Sequence, residues 1–171
     1  AVAAYERAAE LDPAASDIWA ELAALYNRRN RPDEAIAAFR QADAGKPDAN
    51  LARNIQFQWA DTEFRAKDYT LAARRFQDVV SRWPKHPAND QALLFATESL
   101  LLSAETLTDK SARQKTLVEA QALVDRFARG FPKSQLATRH RLQAGRLKVA
   151  RGGNANLKSA VTLFRAALAQ G

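Results

Sequence analysis

Apolar residues recur along this chain in steps of three and four, as in Trp19, Leu22 and Tyr26, or Ile36 and Phe39. That period gathers them on one stripe of an α-helix. Prolines, glycines and polar clusters cut the pattern into helices at about 1–11, 16–29, 32–45, 50–66, 69–82, 88–107, 111–130, 134–150 and 156–169. Asp33 and Glu34 put negative charge into a first turn, where the helix dipole favours it. Ser111 and Ser134 stand where N-caps are needed, and Gly152-Gly153 stands where the eighth helix must end. The loop from Arg151 to Asn156 is the expected flexible connection. The sixth and seventh helices make the longest pair, and Leu100-Leu101-Leu102 puts apolar side chains on several faces. That pair is expected to project from the stack or to pack against something outside this chain.

The helices repeat. Trp19, Leu22, Ala23, Tyr26, Ala35, Phe39, Ala42 and Pro47 follow one another at the spacing of a helix–turn–helix unit, with Ala23 where glycine is usual. Ala1, Tyr5, Ala8 and Pro13 stand 34 positions before Ala35, Phe39, Ala42 and Pro47. This pattern resembles the tetratricopeptide repeat, whose length is about 34 residues. The resemblance is sharp over residues 1–47 and degenerate over 48–171. There Ala72, Phe76, Val79 and Pro84, then Ala120, Val124, Phe127 and Pro132, then Ala160, Phe164 and Ala167 restate the second-helix signature. Trp59-Ala60 and Ala144-Gly145 supply the matching first-helix contacts. Small residues let paired helices approach closely, and each pair needs its neighbours to bury its apolar face.

The resemblance implies an all-α fold, a right-handed α-α superhelix of about nine antiparallel helices. With no linker rich in glycine, serine or proline, residues 1–171 read as a single domain. Its parts are a half-repeat at 1–15 and helix pairs at 16–49, 50–87, 88–133 and 134–171. The opening inside a helix and the absence of methionine suggest a processed or partial chain with an unpaired edge helix at 1–11, a surface for self-association.

Composition changes the picture only modestly. The chain is 47% hydrophobic and 26% charged, which is globular rather than disordered. The net charge of +7 suits acidic partners, anionic surfaces or nucleic acid. No block of like charge appears, however, and acids alternate with bases, so the arginines read as solvating outer faces. Without cysteine there is no disulfide, thiol catalysis or cysteine-ligated metal. No apolar run approaches the roughly 20 residues that span a bilayer.

No catalytic or metal-binding constellation emerges, and no cofactor is implied. His86 lies in the turn Pro84-Lys85-His86-Pro87. His140, between two arginines that would lower its pKa, reads as a surface helix residue. Gly152-Gly153 lacks the lysine and hydroxyl of a phosphate loop. Glu98 and Glu105, seven apart, share a helix face and are expected to be solvated or paired with arginine.

The resemblance implies instead a concave groove lined by the first helix of each repeat. Mapped onto this sequence, it places partner contacts at Asn27, Arg28, Asn54, Phe57, Asp61, Phe64, Arg65, Phe95, Arg139 and Arg146. The phenylalanines would anchor, the arginines would bind carboxylates in bidentate fashion, and the asparagines would hold an extended backbone. A clamp for a C-terminal carboxylate is not expected, because Ala20, Ala24, Ala88 and Ala92 occupy positions it would need. The expected function is a non-catalytic scaffold for a protein or peptide. The endings Trp83-Pro84 and Phe131-Pro132 resemble those of bacterial envelope proteins that serve outer-membrane assembly, polysaccharide export or pili, which tilts the expected compartment toward the periplasm. The alternatives are a basic binder of nucleic acid or acidic polysaccharide, or an accessory domain of a larger enzyme.

Overall fold

In the computed structural model, which describes residues 1–169, every expected helix forms, and no strand occurs among the described residues. The helices are α1 (Val2–Leu11), α2 (Ser16–Arg28), α3 (Pro32–Ala44), α4 (Ala49–Arg65), α5 (Tyr69–Arg82), α6 (Asn89–Thr106), α7 (Lys110–Gly130), α8 (Ala137–Arg151) and α9 (Asn154–Leu168). The fold is an all-α helical repeat. Residues 170 and 171, the end of the last expected pair, lie outside the described residues. Contacts gather the chain into two compact units, Ala1–Arg75 and Phe76–Gly171.

In the first unit α1 packs on α2, α2 on α3, and α3 on α4. The signature residues make this core: Leu22, Ala23, Tyr26, Ala35, Phe39, Ala42 and Trp59 are all buried. Alanines at the crossings admit the neighbouring backbone, and Phe39 of α3 is fully buried in one core with residues of α2 and α4. Tyr26 Oη donates to Glu6 at 2.7 Å and ties α2 to α1. Gly45 ends α3 where a side chain would strike the Ala14 carbonyl and Ser16. Asn30, Lys46 and Lys67 follow α2, α3 and α4 with φ of 56°, 56° and 68°. Helices commonly end in this left-handed conformation, but usually on glycine.

In the second unit α6 packs on α7 and α8, α7 on α8, and α8 on α9. The expectation for α6 and α7 needs correction: the pair neither projects nor lacks partners. Leu93, Leu94, Leu100 and Leu101 are buried because α6 has neighbours on several sides. Its polar residues are satisfied within the helix, Thr97 and Ser99 donating to the carbonyls of Leu93 and Phe95. Phe76 stacks on Phe95 at 5.5 Å. Gly145 lies so close to the Phe164 ring that a Cβ there would collide with it.

Two caps differ from expectation. Asp109, not Ser111, caps α7, accepting the N–H groups of Ser111 and Ala112. α8 starts at Ala137 rather than 134, because Ser134 belongs to the preceding turn. Its hydroxyl donates to Asp90 at 2.6 Å and accepts from Leu136 N–H.

Candidate partner-binding faces

In the first unit, successive first helices touch. α2 meets α4, and Asn27 Nδ2 donates to Thr62 Oγ1 at 2.8 Å. Asn54, Phe57, Asp61, Phe64 and Arg65 fall on one face of α4 at steps of three, four, three and one. Asn54, Arg28 and Arg65 are exposed, while Asn27, Phe57, Asp61 and Phe64 are half-buried. Phe57 lies 5.8 Å from the Arg53 guanidinium, and Phe64 makes an edge contact with Tyr69 at 5.6 Å. Burial raises the Asp61 pKa, and the charge of Arg65 opposes that shift. Arg65 also borders a small cleft shared with Asn27, Asn30, Arg31, Pro32, Thr62 and Ala66. Arg31 is held there by Glu34, whose hydrogen bond raises its pKa, and it lies over the Tyr26 ring at 4.9 Å.

Behind this face sits a clamp that the sequence did not point to. Arg75 of α5 reaches Glu63 of α4 with two nitrogens, at 2.9 and 3.0 Å, and donates to Gln56 at 3.0 Å. Its guanidinium lies 3.5 Å from the Trp59 ring centroid. The Glu63 side chain is 3% exposed and that of Arg75 22%. The clamp fixes α4 against α5 from the side opposite the exposed residues. Twelve positions separate its two charges in sequence, so no helical spacing announces them.

The corresponding face of the second unit is already occupied by its own side chains. Arg139 lies over Phe95 at 5.9 Å. Arg146 pairs with Glu98 and, at 3.4 Å, with Glu105, which is the pairing expected for those two glutamates. Burial disfavours the charge on Arg146, but the two carboxylates outweigh it and its pKa is raised. Gln143 bridges to the Leu94 carbonyl at 3.0 Å and to Glu98 at 2.9 Å. The ten expected residues therefore divide. Seven lie on α2 and α4, and Phe95, Arg139 and Arg146 lie on α6 and α8 among intramolecular partners.

His140 is buried, contrary to the expectation of a surface residue. It faces α7 because it shares a helix face with Ala144 and Leu147. Its ring stacks on Phe127 at 4.2 Å, and Nε2–H donates to the Val124 carbonyl at 2.9 Å. Burial lowers its pKa, with Arg141 adding to the effect. His86 sits in its expected turn, where its ring accepts the Ala88 N–H at 3.2 Å.

The family model for the tetratricopeptide repeat matches residues 4–37, which run from α1 through α2 into α3. Residues 4–37 are thus similar to a tetratricopeptide repeat. Tetratricopeptide repeats generally mediate protein–protein interaction and are typically non-catalytic scaffolds. No curated protein matches the sequence. No helix among the described residues is long and apolar enough to cross a membrane.

Proposed function

We propose that this chain is a non-catalytic scaffold whose α2–α4 face binds an extended peptide or protein segment, within a bacterial multiprotein assembly of the envelope, polysaccharide-export or pilus type. The observation that carries this reading is the joining of two first helices through Asn27 and Thr62. It leaves Arg28, Asn54 and Arg65 exposed beside the half-buried rings of Phe57 and Phe64. Such a surface offers amide groups to a peptide backbone, rings to an apolar side chain and a guanidinium to a carboxylate. The clamp of Glu63 and Arg75 supports it by holding α4 rigid, so little ordering cost falls on the partner. The bacterial assembly rests on the helix endings Trp83-Pro84 and Phe131-Pro132.

The test is selection of binders from a random peptide display library on the immobilised chain, followed by titration of selected peptides. Phe57→Ala and Arg65→Ala are each expected to weaken binding about tenfold or more, the loss of one interface anchor. Arg65 is exposed, so Arg65→Ala leaves stability within about 0.5 kcal/mol. Phe57 is half-buried, so urea denaturation of Phe57→Ala checks that the variant is folded before its binding is read. Peptides that bind both variants as tightly as the parent would remove the α2–α4 face from consideration.

A further inference from the structure

The alternation of acids and bases stops at Asp125. Residues 126–171 contain ten lysines and arginines and not one aspartate or glutamate. This stretch holds the end of α7, all of α8 and all of α9. Some of its cations are taken up by neighbours, as Arg146 is by Glu98 and Arg151 by Gln121. Lys158 and Arg165, on α9 itself, are exposed.

The same two helices carry the largest group of exposed apolar side chains among the described residues. Leu142, Val149, Leu157, Val161 and Leu168 are 40–79% exposed. They are not scattered. Gly145, which touches Phe164, stands three residues after Leu142 and four before Val149, so both flank the α8–α9 seam. Phe164 stands three residues after Val161, seven after Leu157 and four before Leu168, which places those three along the same seam. Lys158 and Arg165 project about 60–80° further round α9, bordering the apolar stripe.

The repeat itself indicates what such a seam accepts. α3 is the second helix of its pair and is covered by α4; α7 is likewise covered by α8. α9 is also the second helix of its pair, and it buries little beyond Ala160 and Ala167. In a helical repeat the outer flank of a second helix is the seat for another helix. A lipid surface would also suit an apolar stripe with basic edges, but the repeat seats helices on this flank, as α4 covers α3 and α8 covers α7.

We propose that the α8–α9 seam docks an acidic amphipathic helix of a partner protein. Its apolar residues, spaced at i, i+4, i+7 and i+11, lie along Leu157, Val161 and Leu168. Its glutamates or aspartates face Lys158 and Arg165. α9 has no acid of its own, so the site selects by charge as well as by shape. This face is separate from the α2–α4 face.

The test titrates the 171-residue chain with two synthetic peptides of about 15 residues. Both carry leucine at the four positions, one with glutamate on the flanks and one with lysine. The glutamate peptide is expected to bind and to weaken as salt rises, whereas the lysine peptide should not bind. Val161→Asp, which alters only an exposed side chain, should weaken the glutamate peptide at least tenfold. Lys158→Glu with Arg165→Glu should reverse the preference toward the lysine peptide. Phe57→Ala and Arg65→Ala should leave both titrations unchanged, so failure here and failure of the α2–α4 reading are distinguishable. Equal binding of both peptides, or binding indifferent to Val161→Asp, overturns the proposal. So does a chain that ignores the peptides yet, through Val161, sediments with phosphatidylserine vesicles, shifts duplex RNA or dimerises.

Discussion

The two units use one packing rule and spend their polar residues differently. In both, alanines at helix crossings and a buried phenylalanine close the core, Phe39 in the first unit and Phe127 in the second. Yet Ala1–Arg75 carries eleven lysines and arginines against twelve acids, whereas Phe76–Gly171 carries fifteen against seven. The first keeps its buried ion pair behind the α2–α4 face, where Arg28, Asn54 and Arg65 stay exposed. The second places its ion pairs on the α6–α8 face and fills it. The lesson is that the repeat fixes which helices touch, while a few polar residues decide which faces remain available.

The sharpest way to break this contrast is to compare the two ion networks. Glu63→Ala strands Arg75 in a poorly hydrated site, and loss of one partner of a buried pair typically costs about 3–5 kcal/mol. Arg146→Ala removes a side chain that is 40% exposed, and the expected cost is about 1 kcal/mol or less. Urea denaturation of the two variants measures both. Equal losses would mean that the networks are not differently buried.

Gly145→Ala probes the packing of the second unit. A methyl group there meets the Phe164 ring, and overpacking costs about 1–3 kcal/mol. Phe164→Leu in the same chain should restore part of the loss, whereas a loss unchanged by that second substitution would point away from the ring.

His140 gives the second unit a pH dependence. Burial holds its folded-state pKa below the ordinary value of 6.5, so as pH falls the unfolded chain takes up the proton first. The stabilisation is therefore complete above about pH 6.5 and is lost as pH drops toward the folded pKa. The slope is at most about 1.4 kcal/mol per pH unit for one proton. His140→Gln keeps a donor for the Val124 carbonyl without titrating near neutrality. Thermal unfolding between pH 7 and 5 should be flatter in that variant, and an identical slope would contradict the assignment.

The smallest effect is expected at a helix end of the first unit. Lys46 holds a φ of 56°, a conformation that costs a lysine more than a glycine. Lys46→Gly should stabilise by about 0.5–1 kcal/mol in the same urea titration. Destabilisation would mean that the lysine side chain contributes more than its backbone costs.

Much of this molecule was legible in its sequence. The three- and four-residue steps located all nine described helices, with the largest boundary difference at α8, where Ser134 engages Asp90 instead of the helix. The repeat signature correctly marked Ala35, Phe39, Ala42, Ala72, Phe76, Ala120 and Phe127 as core. What escaped depends on contacts between distant positions. The spacing of Glu63 and Arg75 has no local meaning, and His140 looked like a surface residue because its neighbours in sequence are arginines. The acid-free stretch after Asp125 was in plain view, but a balance over the whole chain averages it against the acids before it. Which of the ten expected contact residues stay exposed was not legible either, since Arg146 meets its carboxylates only through the packing of α6 on α8.

Hydrogen exchange on the intact chain, with and without a display-selected peptide, tests the central claim most directly. At a peptide concentration near the parent's Kd, the account predicts slower exchange in α2 and α4, over Ser16–Arg28 and Ala49–Arg65, and far less of that protection in the Phe57→Ala chain. Protection confined to α6 and α8, or the same α2 and α4 protection in the variant, would contradict it.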